Sequence, residues 1–226
     1  MVTPLKNIPL RPPKSPNLLI APVDYSQQYQ DQLNNALRLY FAEIDNFGAG
    51  LTTTQIGGIY LKFPYVSAGD TTAQYATGNN TPTIVQWNSL FAGSGFTLNS
   101  DNTATATYAG IYKITYSLQF ANSDNAAHDA IVWLRINNVD VADSTTIFTI
   151  PARKSAGVYT YVCGYSEVVF QLNTGDKVGL WWGTELAATS GGVAGTYIYY
   201  RAAQTSPMAY PETPSAIGSI TFVSGV

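Results

Sequence analysis

Few residues of this chain have the types and spacing that enzyme chemistry requires. His128 is the only histidine and Cys163 the only cysteine. A Ser-His-Asp or Cys-His centre would need His128 together with an orienting acid such as Asp129. We interpret His128, in the polar stretch "NSDNAAHDA", as a surface residue, and Cys163 as a small buried apolar residue. No catalytic residue is predicted, and we expect the chain not to be an enzyme.

Oxygen-bearing side chains in the same stretch could bind a metal ion. Asp124, Asn125 and Asp129 are weak calcium candidates, because calcium prefers oxygen ligands from loops. No EF-hand spacing is present, and one histidine with one cysteine cannot complete a zinc site. The 14 acidic residues lie mostly in turns, so none stand out as a glycosidase pair. We therefore expect no cofactor.

Aromatic and amide side chains offer a different chemistry, the binding of a sugar or of a protein surface. Trp181 and Trp182 are adjacent, so on a strand one faces inward and the other outward. An outward Trp181 could stack on a sugar ring, with Tyr75, Asn79 and Asn80 in loops. These four are the predicted receptor-binding candidates. The alternative is that the rings are covered by a loop or by a neighbouring subunit.

The composition restricts the kinds of partner. Charged residues make up only 11% of the chain, hydrophobic residues 46%, and the net charge is −3. Such a chain folds, but it has no positive field to attract nucleic acid or an anionic membrane. We find no run long enough for a transmembrane helix and no secretory signal. With so few charges, we expect oligomerisation to cover part of the surface.

Residues 1–23 are predicted to form an extended arm. Half of the 12 prolines lie here, and this density excludes helix and sheet. Apolar residues lie between the prolines, as is typical of a segment that docks in a partner's groove, although a solvated tail is the plainer alternative. The predicted anchoring residues are Leu5, Ile8, Leu10, Arg11, Leu18, Leu19 and Ile20.

Residues 24–47 are predicted to form a short coiled-coil helix. Asp24 followed by Gln27 resembles a capping box at its start. Apolar residues then recur at alternating spacings of four and three, the pattern of a coiled-coil seam. A parallel bundle of identical chains is favoured over a helix packed on its own domain. The predicted seam residues are Leu33, Leu37, Tyr40, Ile44 and Phe47. Glycines in the linker, residues 48–57, are expected to end the helix.

Residues 58–226 are predicted to form an all-β head. In "GIYKITYSLQF", residues 110–120, Tyr112, Tyr116 and Phe120 alternate with polar side chains, which is typical of a strand with one buried face. About ten such short strands, separated by turns rich in Asn, Asp and Gly, predict a β-sandwich or jelly roll. The opposite face carries Thr, Ser and Gln, which cost less to bury than charged side chains.

Four stretches of the head resemble C1q/TNF-like proteins. "GIYKITY" is similar to the family's Gly-x-Tyr strand, and "AIVWLRINNVDVA" to the strand, turn and strand that follow it. "LNTGDKVGLWW" resembles its Leu-x-x-Gly-Asp-x-Val-x-Leu signature. "PSAIGSITFV" resembles its closing strand, although Ile217 replaces the usual aromatic residue. The resemblance implies a C1q/TNF-like jelly-roll sandwich that forms a homotrimer through one sheet. Tyr197 and Tyr199 are the predicted interface residues, and the alternative is that their rings fill the core of a single chain.

The segment before the head resembles another group of proteins. "NLLIAPVDYSQQYQDQLNNALRLYF" is similar to leaders of fibre-like virion proteins of tailed bacteriophages that infect aquatic bacteria. This resemblance implies a homotrimeric fibre or decoration protein on the virion surface. Its arm would dock on a capsid, neck or tail protein, and its head would serve host adsorption or decoration. The alternatives are a cellular C1q-like module that recognises glycans and, less favoured, a virion polysaccharide hydrolase.

Overall fold

The computed structural model describes residues 14–18, 20, 23–52 and 63–225. Two compact units are distinguished, one containing the helix and the other comprising the chain from Pro64 onward. The predicted arm falls largely outside the described residues. Residues 53–62, which include half of the predicted linker and the predicted start of the head, also fall outside them.

The helix α1 spans Gln27–Thr52. Its N-cap is Ser26, whose Oγ accepts a hydrogen bond from the Tyr29 backbone N–H at 3.3 Å. The predicted capping box at Asp24 is therefore wrong, because Ser26 satisfies the first-turn donors two residues later. The predicted end at residue 47 is also wrong, since the helix continues through Gly48 and Gly50. Glycine costs a helix about 1 kcal/mol relative to alanine, but it retains the N–H that proline lacks.

The predicted coiled-coil seam lies along one side of α1. Leu33, Leu37 and Tyr40 are half-buried, and Ile44 is 38% exposed. The side chain of Phe47 lies outside the described residues. At 1.5 Å per residue, the 26-residue helix is about 39 Å long. The trimeric coiled coil stays a prediction.

The described part of the head is built from strands of two to 13 residues and turns. The strands are β1 (Tyr65–Asp70), β2 (Thr83–Ile84), β3 (Ser89–Ser94), β4 (Phe96–Leu98), β5 (Ala104–Ala106), β6 (Gly110–Asn122), β7 (His128–Ile136), β8 (Val139–Asp140), β9 (Thr146–Ile150), β10 (Thr160–Leu172), β11 (Lys177–Thr184), β12 (Thr196–Ile198) and β13 (Ala216–Ser224).

These strands form two antiparallel sheets. The first sheet has the order β10-β6-β13-β1-β3, with β12 paired to β6. The second has the order β4-β5-β11-β7-β8, with β2 paired to β11 and β9 to β7. The chain crosses repeatedly between the sheets, and β1 lies beside β13 in the first sheet. This strand order is that of a jelly-roll sandwich, so the predicted fold class of the head is confirmed.

The core between the sheets follows from the alternation along β6. All five side chains predicted to face inward are buried: Tyr112, Ile114, Tyr116, Leu118 and Phe120. The Phe120 ring packs against Phe148 at 5.8 Å and against Trp182 at 6.0 Å between ring centroids. Trp182 is fully buried, and Trp181 faces the other side of β11.

Candidate functional site

The outer face of the first sheet exposes a group of large apolar side chains. Their rings and branched side chains extend from β1 and β3 across β13 to β10, and each is between 39% and 59% exposed. We call this surface the apolar outer face, and its residues are Tyr65, Phe91, Tyr161, Tyr165, Val169 and Ile217. Several exposed apolar residues gathered on one sheet face indicate a surface that another protein covers.

Hydroxyl groups between these apolar residues are paired with another hydroxyl or with the Cys163 thiol. Thr115 Oγ1 and Ser219 Oγ lie 2.6 Å apart, and Ser117 Oγ lies 3.2 Å from Cys163 Sγ. Because their hydrogen bonds are made within the face, a covering partner need not replace them. This arrangement accounts for Thr115 and Ser117 on the outward side of β6.

One ion pair interrupts the apolar outer face. Lys113 Nζ on β6 lies 3.5 Å from Glu167 Oε2 on β10, and both side chains are about two-fifths exposed. The two charges compensate each other locally, so covering the pair costs less than covering either charge alone. The face is therefore close to neutral.

Cys163 lies within β10, but it is exposed. The prediction that it is buried is wrong. Its neighbour Gly164 is the residue that faces the core, where Phe120 and Phe148 come so close that a Cβ would lie 2.8 Å from the Phe120 ring. Alternation along the strand then places the Cys163 thiol on the outer face.

Five tyrosines meet at one end of the first sheet. The rings of Tyr75 and Tyr197 are stacked at 5.2 Å, and those of Tyr161 and Tyr199 lie 4.7 Å apart. Tyr159 contacts Tyr197 edge-on at 6.5 Å. Tyr197 is only 8% exposed, and burial is the main cause that raises its pKa above the ordinary tyrosine value.

The two predicted interface tyrosines thus have different surroundings. The Tyr197 ring is buried by its own subunit, whereas Tyr199 is half-buried and touches Tyr161, a residue of the apolar outer face. Burial also raises the pKa of Tyr199. Tyr199 and Tyr161 are therefore more accessible than Tyr197, whose ring packs edge-on against Tyr199 with 6.0 Å between ring centroids.

The outer face of the second sheet has a different chemistry, with several charged residues. Trp133 and Arg135 on β7 lie opposite Trp181 and Gly179 on β11. Asp140 Oδ1 accepts hydrogen bonds from Trp133 Nε1 and Arg135 Nε, both at 2.6 Å. These two hydrogen bonds are the largest causes that lower the pKa of Asp140.

The Arg135 guanidinium also lies over the Trp181 ring, 4.1 Å from its centroid. Sequence reasoning identified Trp181 but missed Arg135, Trp133 and Asp140. Their grouping depends on the register between β7 and β11, which places Gly179 opposite Arg135, and on the pairing of β7 with β8, which places Asp140 opposite Arg135. The alternation of β7 and β11 places Trp133, Arg135 and Trp181 outward, but the register cannot be read from the sequence.

The other predicted receptor-binding residues do not join Trp181. Tyr75 belongs to the tyrosine group, and the Asn79 Oδ1 accepts a hydrogen bond from the Ala187 backbone N–H at 2.9 Å. Asn80 is exposed and has a positive φ of 52°. Tyr75 and Trp181 line different depressions of the surface.

The calcium and histidine candidates lie around the turn between β6 and β7. His128 Nε2 is 2.9 Å from Asp124 Oδ2, and Asp129 Oδ1 accepts a hydrogen bond from Thr149 at 2.7 Å. Asn125 is exposed. The hydrogen bond from His128 is the first of the causes that lower the pKa of Asp124. Within the described ranges, no three His, Cys, Asp or Glu side chains are grouped to hold a metal.

Two of the predicted anchoring residues are described by the structure. Leu18 is 49% exposed and Ile20 is 96% exposed. Leu5, Ile8, Leu10, Arg11 and Leu19 lie outside the described residues. In the part of the chain that the structure covers, no helix has both the length and the apolarity to cross a membrane.

Comparison with known proteins gives similarity in structure only. No family model and no curated protein matches the chain. The Eiger TNF structure from S. frugiperda is 11% identical, covers 73% of this chain and 94% of its own, and has a TM-score of 0.41. Murine APRIL is 17% identical, covers 71% and 100%, and has a TM-score of 0.43. The jelly-roll fold of the head therefore rests on its own strand order, and two TNF-type structures are among those to which it is similar.

Proposed function

We propose that this chain is a homotrimeric structural protein whose heads associate through the apolar outer face. The observation that carries the proposal is the contrast between the two outer faces. The first sheet presents exposed rings, internally paired hydroxyls and the ion pair Lys113–Glu167, whereas the second presents more charged side chains, among them Arg135, Asp140 and Lys177. Covering the first face removes apolar surface from water without leaving charges unpaired.

Copies of this same chain fit that face better than an unrelated partner. The Lys113–Glu167 pair gives the face both charges, so identical faces do not repel each other. The seam of α1 supports the same conclusion independently, because Leu33, Leu37 and Ile44 recur at the spacing that a partner helix covers. Two separate elements thus favour association between identical chains. The number three comes from the C1q/TNF-like resemblance.

We further propose that the trimer is a fibre or decoration protein on the surface of a virus particle. The arm would dock on another virion protein, α1 would hold three chains together, and the head would be displayed for host adsorption or decoration. Exposed Leu18 and Ile20 support the docking role of the arm. The proposal includes no catalytic step.

The oligomeric state can be tested with the whole chain and its single cysteine. Light scattering after size exclusion should give about 73 kDa, three times the chain mass of 24.4 kDa. Because Cys163 lies on the apolar outer face, a maleimide should label it slowly in the trimer and rapidly after unfolding in urea. A stable monomer, or a native thiol that reacts as fast as in urea, would refute the association through this face.

The virion role requires a separate test. Antibodies against the head should label purified particles, and a variant that lacks residues 1–23 should remain trimeric but fail to join the particles. Detection of the protein only in the cellular fraction would favour the cellular recognition module instead. Normal incorporation of the shortened variant would show that the arm is not the anchor.

A further inference from the structure

A groove lies on the outer face of the second sheet, away from the apolar outer face. It encloses about 550 Å³ and lies beside Trp181. This volume is within the range of small-molecule sites, roughly 300–1,000 Å³. We call it the Trp181 groove, and the residues that line it include Trp181, Gly179, Arg135, Asn138, Lys177 and Asp101.

Gly179 forms the floor of the groove. It lies within β11, where glycine normally weakens a strand unless another group must approach the backbone closely. A Cβ at this position would lie 3.2 Å from Trp181 Nε1, 3.4 Å from Ile84 Cδ1 and 3.5 Å from Thr103 Cγ2. Any side chain would therefore occupy the space between these three residues. The glycine keeps the groove open.

One wall of the groove is a rigid aromatic and cationic group. Arg135 is held by Asp140 through its Nε and lies on the Trp181 ring. Among the described residues, the two terminal nitrogens of Arg135 make no hydrogen bond, and the guanidinium is bonded to Asp140 only through its Nε. These N–H groups are therefore oriented and available to a ligand, and little side-chain entropy is lost when they bind.

The opposite end of the groove carries fixed polar groups. Asn137 Oδ1 accepts a hydrogen bond from the Lys177 backbone N–H at 3.0 Å, and Asn137 Nδ2 donates to Asp176 at 2.8 Å. These bonds hold the turn that presents Asn138, which has a positive φ of 64°. Lys177 Nζ lies 3.9 Å from Asp101 Oδ2. The groove thus offers an amide, an ammonium and a carboxylate near one aromatic ring.

We propose that the Trp181 groove binds an uncharged pyranose unit of a surface polysaccharide. A pyranose has apolar C–H faces, which suit the aromatic wall, and a rim of hydroxyls that donate and accept hydrogen bonds. Arg135, Lys177 and Asn138 can donate to those hydroxyls, and Asp101 and Asn138 can accept from them. The two cations are balanced by Asp101 and Asp140, so the site has no excess charge to favour an acidic sugar.

This inference deepens the proposed display function by naming the class of ligand. If the heads associate through the first sheet, three copies of the groove remain on the outside of one trimer. A weak single site then suffices, because linked sites raise the overall avidity by about 10²–10⁴. The trimer mass and the thiol test do not depend on the groove, so the two proposals can fail separately.

The test uses the full-length protein and immobilised polysaccharides. The probes are dextran, mannan and galactan as uncharged chains, and alginate and hyaluronate as acidic ones. The wild type should bind at least one uncharged chain more tightly than either acidic chain. Gly179→Val should lower that binding at least tenfold, because its side chain fills the floor. Gly183→Val is the matched control, since Gly183 lies on the same face of β11, outside the groove, with its nearest neighbour atom at 3.5 Å.

Trp181→Ala provides a second variant that does not depend on a bulky substitution. It should also lose binding. Both variants should keep the wild-type mass by light scattering and the wild-type circular dichroism spectrum, which together show that their heads are folded. Three results would overturn the proposal: no binding of any uncharged chain by the wild type, binding confined to the acidic chains, or equal binding by Gly179→Val and Gly183→Val.

Discussion

Ile217→Lys should separate the three heads, whereas the same change at Ile147 should not. Ile217 lies in β13 on the apolar outer face and is 42% exposed. Ile147 lies in β9, opposite Ile131 on the outer face of the second sheet, and is 60% exposed. The two substitutions change the same side chain on similarly exposed strand positions. The two positions differ in their sheet, because Ile217 lies in the first sheet and Ile147 in the second.

The magnitude follows from the surface that remains exposed at Ile217. Complete burial of an isoleucine side chain contributes about 1.5–3 kcal/mol, so covering the exposed 42% contributes roughly 1 kcal/mol per subunit. A buried, unpaired lysine costs several kcal/mol more. The sum is about 4 kcal/mol per subunit and on the order of 10 kcal/mol per trimer. Since 1.4 kcal/mol is tenfold in an equilibrium constant, association should be lost at micromolar concentration.

The assay is light scattering after size exclusion, at several protein concentrations. Ile147→Lys should keep the trimer mass, and Ile217→Lys should move towards the 24.4 kDa of one chain. The maleimide reaction of Cys163 should accelerate only in Ile217→Lys. If both variants remain trimers with a protected thiol, the first sheet is not the interface. If both dissociate, the second sheet takes part as well.

Three further predictions concern the folded state. Phe120→Ala should lower the free energy of unfolding by about 3–5 kcal/mol, because it removes a fully buried ring between Phe148 and Trp182. Urea titration measures this loss, and Val139→Ala, at a position that is 68% exposed, is the control. Equal losses in the two variants would contradict the packing. The pKa of Asp140 is lowered in the folded state, so the stability that its carboxylate contributes is present above about pH 4 and lost as the pH falls further. In urea titrations from pH 7 to pH 3, the difference in the free energy of unfolding between wild type and Asp140→Asn should shrink at the acid end. A constant difference would argue against the paired carboxylate. Ser26→Ala should destabilise α1 by about 1 kcal/mol through loss of the N-cap, while Ser26→Asp retains the cap. Thermal melts followed by circular dichroism distinguish the two variants. Identical melts would rule out this cap.

The fold of the head could be predicted from local sequence because burial follows the strand period. Along β6 the side chains from Tyr112 to Phe120 alternate between core and surface, and this alternation needs no knowledge of the partner strands. The outward position of Cys163 was harder to predict from the sequence. It depends on the packing of Gly164 against Phe120, a contact between residues far apart in the chain.

The grooves and interfaces were harder to predict because they depend on register. Arg135 faces Gly179 only through the pairing of β7 with β11, and Asp140 joins them through the short turn to β8. The end of α1 was missed for a different reason. Glycines lower helix propensity without preventing the backbone hydrogen bonds. The helix therefore continues through Gly48 and Gly50, which were expected from the sequence to end it.

The central position of β13 has a consequence for the order of events during synthesis. This strand pairs with β6 on one side and with β1 on the other, so it joins the two halves of the first sheet. Until residues 216–224 have been synthesised, β1 and β6 each lack a partner along the edge that β13 occupies in the folded sheet. Nascent chains therefore expose two open strand edges at a polysome, where neighbouring copies are close, and a chaperone that shields such edges should improve the yield.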